Sequence, residues 1–255
     1  PSYTPTYDYL NNLPYFSIGG GNWAFNYSEY VNNSLVMTEE GNMNNISIDS
    51  HIPATGGSYL FAEGNFSWGD LTYDGETQAG TPLTAPTRDV LYTGGLYISY
   101  PYFDNEVFIE PYGGWRGRYW FDEILSEFGY RREISQSFVA VGANFARVAT
   151  PNLIIGAGGD VSSLAFGEVK SYFSDVDPLY NDPVVEQTSG YGFRVHGKIW
   201  LNLGGAGITL RPFARYLDIA ISEAGMLKYN GRNYFIVYDP EISTSIVGIQ
   251  VFVNM

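Results

Sequence analysis

Apolar and polar positions alternate along this chain with a period of two, the pattern of extended strands rather than of helices. Residues 106–121 show it most sharply. One face carries Val107, Ile109, Pro111, Gly113, Trp115, Gly117, Tyr119 and Phe121; the other carries Phe108, Glu110, Tyr112, Gly114, Arg116, Arg118 and Trp120. Residues 89–100, 191–202 and 208–216 repeat the alternation. Residues 15–27, 44–51, 58–68, 134–148, 153–164 and 242–253 supply further candidate strands.

The length of these runs changes the picture. Strands of soluble domains cluster near about 5 to 6 residues, whereas a tilted strand crossing a bilayer needs about 9 to 11. Several runs here exceed that, with charges on one face and apolar residues on the other, and with Tyr and Trp near the ends. This is the lipid-out, polar-in pattern with aromatic girdles. The connections alternate too. Residues 100–105, 150–152 and 203–207 are short turns, and residues 122–132, 166–189 and 222–240 are long polar links. Barrels of the outer membrane have short periplasmic turns and longer outer loops.

Composition agrees. Of 255 residues only 16% are charged, below the roughly 25% of ordinary domains, and 17% are aromatic. No run of 18 apolar residues predicts a membrane-spanning helix. The net charge of −14 argues against nucleic acid as a partner. There is no cysteine, in keeping with a chain exported unfolded through an oxidising compartment.

The expected fold class is therefore all-β: an antiparallel up-and-down transmembrane β-barrel of about ten strands. Residues 30–45 and 232–238 leave eight or twelve open. The whole chain reads as one barrel domain, with residues 1–14 as a periplasmic N-terminal extension. A soluble β-sandwich or a lipocalin-like barrel is the competing architecture. The alternation, the loop rhythm and the apolar C-terminal run Ile246-Val-Gly-Ile-Gln-Val-Phe-Val253 resemble the small Gram-negative outer-membrane β-barrel superfamily. The resemblance is one of architecture and carries no family motif; the chain ends Val-Asn-Met instead of on an aromatic residue. It implies a porin-like protein of the bacterial outer membrane. Its partners would be the bilayer and lipopolysaccharide, with a protein partner or a second copy engaged through the loops.

Six of the 13 basic residues fall on interior faces: Arg116, Arg118, Arg194, Lys198, Arg211 and Arg215. Glu63, Glu110 and Asp160 are the interior acids that the pattern places. A narrow barrel fills its lumen with side chains, so paired charges forming an internal ion-pair network are one reading. A basic lumen that binds or passes a small anion is another.

Enzymatic chemistry finds little support. Asp49-Ser-His51 resembles, superficially, the Asp-x-His element of the omptin proteases. The alternation places His51 near a periplasmic turn, the wrong end, and no acidic partner pair precedes it. His196 stands between Arg194 and Lys198, a poor setting for a general base. The expectation is a non-enzyme without a resident cofactor. The acidic loop carrying Asp175, Asp177 and Asp182 could supply oxygen ligands to Ca²⁺, and Glu39, Glu40, Asp70, Asp74 and Glu76 read as further acidic outer loops. Pro111 and Pro212, each lacking a ladder donor, predict bulges or later strand starts.

Overall fold

The computed structural model describes residues 16–76, 80–104, 107–127, 129–203 and 207–254; the extension expected over residues 1–14 lies outside them. Ten long strands form the wall: β1 (Phe16–Val31), β2 (Ser34–Pro53), β3 (Tyr59–Gly69), β4 (Pro82–Ser99), β5 (Val107–Ile124), β6 (Arg131–Thr150), β7 (Leu153–Ser171), β8 (Gly190–Asn202), β9 (Gly207–Ile219) and β10 (Glu241–Asn254). Each pairs antiparallel with its sequence neighbours. β1 also pairs with β10, from Ser17 opposite Asn254 to Tyr30 opposite Glu241, and this closes the barrel. Closure leaves no open strand edge.

Several strands run well beyond the segments that alternation predicts, whereas β3, β8 and β10 match them within a residue. β2 occupies 20 residues, and its hairpin with β1 turns on Asn32 and Asn33, both at positive φ, as a two-residue primed turn requires. Residues 30–45 are therefore barrel wall, and Glu39 is a fully buried lumen residue. The expectation that Glu39 belongs to an outer loop is corrected: the strand holds its alternation through a polar stretch that reads as loop. β5 likewise runs to Ile124 and β7 to Ser171. Above the wall, Thr72–Glu76 prolongs the β3–β4 hairpin, Val184–Gln187 pairs with β7, and Gly225–Tyr229 and Arg232–Val237 form a hairpin of their own.

Neither proline produces the expected bulge. Pro111 pairs in register with Ala143, and its missing donor falls where the β4–β5 ladder ends. At Pro212 the β8–β9 ladder lapses between the His196–Phe213 and Ile199–Leu210 pairs, and the register is the same on both sides. A gap without a slip keeps every side chain on its proper face.

Outward faces carry exposed apolar side chains such as Leu96, Ile98, Val139, Val141, Val195 and Val247. Exposed apolar surface on this scale needs a non-aqueous environment. Its outer border is aromatic: Phe66 packs on Trp68 and Tyr92, and Tyr92 reaches Tyr119. Just above, Arg88 and Glu123 form an exposed outward pair at 3.0 Å, so the wall there faces water.

Candidate functional site: a filled lumen with unbalanced ends

The inner face of β5 gives the layers of the lumen in order of height. Phe108 lies lowest, in an apolar plug with Ala146, Ile154 and Trp200. Glu110 follows, then Tyr112, which clusters with Phe61, Tyr97 and Ala140. Arg116 and Arg118 come next. Trp120 joins the largest apolar cluster, with Trp23, Phe25, Tyr27 and Phe138. Asp122 stands above it.

Four charges interlock at mid-height. Arg116 of β5 places Nη2 2.8 Å from each oxygen of Asp160 on β7. Arg194 of β8 donates from Nε to Asp160, 2.8 Å, and from Nη1 to both oxygens of Glu63 on β3, 2.7 Å each. Tyr97 and Tyr112 donate their hydroxyls to Glu63 and Asp160 at 2.9 and 3.0 Å. Glycine makes the space: a Cβ at Gly95 would lie 2.4 Å from the Tyr97 ring. Asp160 and Arg194 are buried, Glu63 and Arg116 are largely so, and each has an opposite partner, the arrangement that buried ions require.

Below this network lies a cavity of about 60 Å³, lined in part by His51, His196, Lys198, Arg211, Arg215 and Glu110. It has room for about four waters, or for one small ion. Arg211 pairs with Asp49, a lumen acid that sequence reasoning missed although it shares the inner face of β2 with Asn45, Ser47 and His51. Glu110 accepts from Ser99 and Asn144, 2.8 and 2.9 Å. Among the described residues, Lys198 and Arg215 have no carboxylate within 4 Å; Arg215 instead lies over the Phe213 and Trp23 rings, 5.1 and 5.8 Å from their centroids. His51 stacks on Phe61 at 4.5 Å.

Arg118 separates from the other five bases. Its Nη1 donates to Gln136 at 3.1 Å, Gln136 donates to Gln187 at 2.7 Å, and Gln187 donates to Asp239 at 2.6 Å. This polar file leads from the upper lumen to the outer loops. Asp239 stands just before β10, above the membrane-facing belt, and burial pushes its carboxyl up to about 7, assisted by the negative charge of Glu29.

The charge balance reverses at the outer end. Arg132 of β6 is held by Asp122 at 2.6 Å, by Glu29 and by Glu39 at 3.3 Å. Asp89 stands directly opposite Asp122 on the neighbouring strand and accepts from Trp120 Nε1 at 2.8 Å and from the Thr87 hydroxyl. Pattern reading missed Glu29, Glu39 and Asp122 because its runs stopped short of them, and it had Asp89 only as the first residue of a run.

The acidic loop does not gather its carboxylates. Asp175 binds Arg131 at 2.7 and 2.8 Å, and that guanidinium holds its carboxyl below the usual carboxylate range. Asp177 accepts from Leu179 N and the Tyr229 hydroxyl, and Asp182 accepts from Ser174 N. Tyr180 links this loop to the Gly225–Val237 hairpin, with its ring 4.9 Å from Tyr229 and 6.1 Å from Tyr234.

A closed wall, an apolar belt with an aromatic border and a charged, filled lumen define the fold of an outer-membrane β-barrel. Comparison with solved structures bears on the fold alone. The chain is similar to the outer membrane protease OmpT from Escherichia coli, at a TM-score of 0.61 and 10% identity over 94% of this chain and 96% of that one. It also matches the transport unit of the E. coli autotransporter AIDA-I, at 0.46 and 8% over 94% and 90%. Neisserial surface protein A matches at 0.36 and 10% over 94% and 97%. No family model and no curated protein sequence matches the chain.

Proposed function

We propose that this is a non-enzymatic protein of the bacterial outer membrane that works through its outer rim, with the lumen as a rigid ion-paired plug. The observation that carries this reading is the Arg116–Asp160–Arg194–Glu63 network. It ties β3, β5, β7 and β8 together across the interior and lies between two apolar layers. The outer loops support it from the other side. Two of them dock on each other through Tyr180, Tyr229 and Tyr234, and they present Tyr234, Phe235 and Ile236 at more than half exposure. An apolar crest of this kind suits contact with lipopolysaccharide or a protein partner. The likeness to a protease concerns the fold. Here both histidines lie in the lower lumen, and His51 rests against an aromatic ring. The test is conductance in planar bilayers: the reading expects a silent wild-type barrel, and steady unitary currents would overturn it.

A second reading rests on Lys198 and Arg215. Two cations without carboxylate partners beside a buried cavity suit a small anion such as phosphate or a carboxylate. It expects anion-selective current or saturable binding of inorganic phosphate, lost in the variant carrying Arg116→Ala and Arg194→Ala or in Lys198→Met.

A further inference from the structure

At the outer mouth, above the apolar belt, Glu39 of β2, Asp89 of β4 and Asp122 of β5 each offer a carboxylate oxygen, and these oxygens lie within 4.8 Å of one another. We propose that they form a binding site for a hard divalent cation of the calcium type.

The spacing fits. Two oxygens bound to one Ca²⁺ at 2.3–2.6 Å can stand no more than about 5.2 Å apart, and every pair here falls inside that limit; Mg²⁺ demands a stricter octahedron and gives up its water reluctantly. The chemistry is that of a hard ion: three carboxylates, with no nitrogen or sulfur ligand among them. The donors come from three strands of a closed wall, so their separation is set by the barrel.

The charge count calls for a cation. Among the described residues, Glu29, Glu39 and Asp122 share one guanidinium, that of Arg132, and Asp89 stands beside Asp122 with no ion pair of its own. Asp89 and Asp122 are direct cross-strand neighbours, a pairing that like charges disfavour. An independent observation marks the place an ion would fill. Glu39 Oε2 and Asp122 Oδ1 are buried and meet no N–H or hydroxyl donor, while both residues are 0% exposed. A buried carboxylate oxygen without a partner is costly, and a metal ion satisfies it without a donor. The wall outside carries the exposed Arg88–Glu123 pair, so an ion would enter from the outer aqueous side.

Trp120 provides the readout, since its indole N–H already binds Asp89 at 2.8 Å. The folded full chain in detergent would be stripped with EDTA, titrated with Tb³⁺ as a calcium surrogate, and excited through tryptophan. The proposal expects saturable sensitised luminescence at one ion per barrel, competed by Ca²⁺. It expects affinity to fall at least about tenfold in Asp122→Asn and to persist in the variant carrying Asp175→Asn, Asp177→Asn and Asp182→Asn. Loss of the signal in the loop variant with retention in Asp122→Asn would overturn it. Elemental analysis of wild-type protein dialysed against Ca²⁺ needs no variant: a metal-free barrel without sensitised luminescence would mean that the carboxylates share protons only, and would equally overturn it.

Discussion

Arg194 and Glu63, 131 residues apart in sequence, meet across the lumen with one guanidinium nitrogen 2.7 Å from both carboxylate oxygens. Each is buried, and each is also tied to the Arg116–Asp160 half of the network. Removing one partner leaves the other charge unpaired in a dry interior, which costs about 3–5 kcal/mol. Arg194→Ala is therefore expected to lower the unfolding free energy, read from urea titrations of the barrel in lipid vesicles, by that amount. The variant carrying both Arg194→Ala and Glu63→Ala should recover part of the loss, and a double variant no better than the single one would show that the pair does not act as a unit.

Lys198 presents the opposite case. Its ammonium is buried beside the lower cavity without a carboxylate partner, so an apolar chain of similar length should fit at least as well. In buffer free of small anions, Lys198→Met is expected to stabilise the barrel by roughly 1 kcal/mol or more. If the cavity holds an anion, added phosphate should stabilise the wild type and leave the variant unmoved; urea titrations with and without phosphate measure both effects.

Two glycines separate close approach from open space. A Cβ at Gly21 would lie 2.0 Å from the backbone oxygen of Ile249, whereas one at Gly117 would meet nothing within 4 Å. Gly21→Ala should cost about 1–3 kcal/mol by overpacking the β1–β10 closure, and Gly117→Ala should be neutral within about 0.5 kcal/mol. Heat-modifiability on unboiled gels, followed by thermal melts, compares them directly.

Asp239 makes the outer loops sensitive to pH. Its carboxyl, buried beside Gln187 with Glu29 and Arg132 within electrostatic reach, titrates at about 7 when folded, against about 3.9 when unfolded. The folded state binds the proton more tightly, so the stability tied to this group is fully present below the unfolded value. It is lost progressively as pH rises towards 7, and the cost is complete above it. Hydrogen exchange of the amides in residues 220–240 should accelerate between pH 5 and 8 beyond the intrinsic chemical rate, and Asp239→Asn should remove the excess.

The face of each strand was legible because a side-chain period of two states which residues share a side. All six lumen bases and Glu63, Glu110 and Asp160 point inward as the alternation requires. Height was not legible. Alternation does not say that Arg194 stands level with Glu63, or that Arg118 lies a layer above the others and bonds to Gln136, because strand stagger around the wall sets these distances. The upper acids escaped for a different reason. Glu39 and Asp122 belong to polar stretches whose inner positions are charged and whose outer positions face water, so the contrast that reveals a strand fades where the wall rises above lipid.

The register that joins Ser17 to Asn254 also constrains time. Bringing together positions nearly the whole chain apart costs about 5 kcal/mol of loop-closure entropy, a cost that no single hairpin bears. The adjacent pairings are local and can form early, but the last ladder gains nothing until the nine others hold its two strands within reach. The molecule should therefore pass through an open curved sheet with two unsatisfied edges, and the lumen charges can find their cross-barrel partners only when that sheet shuts.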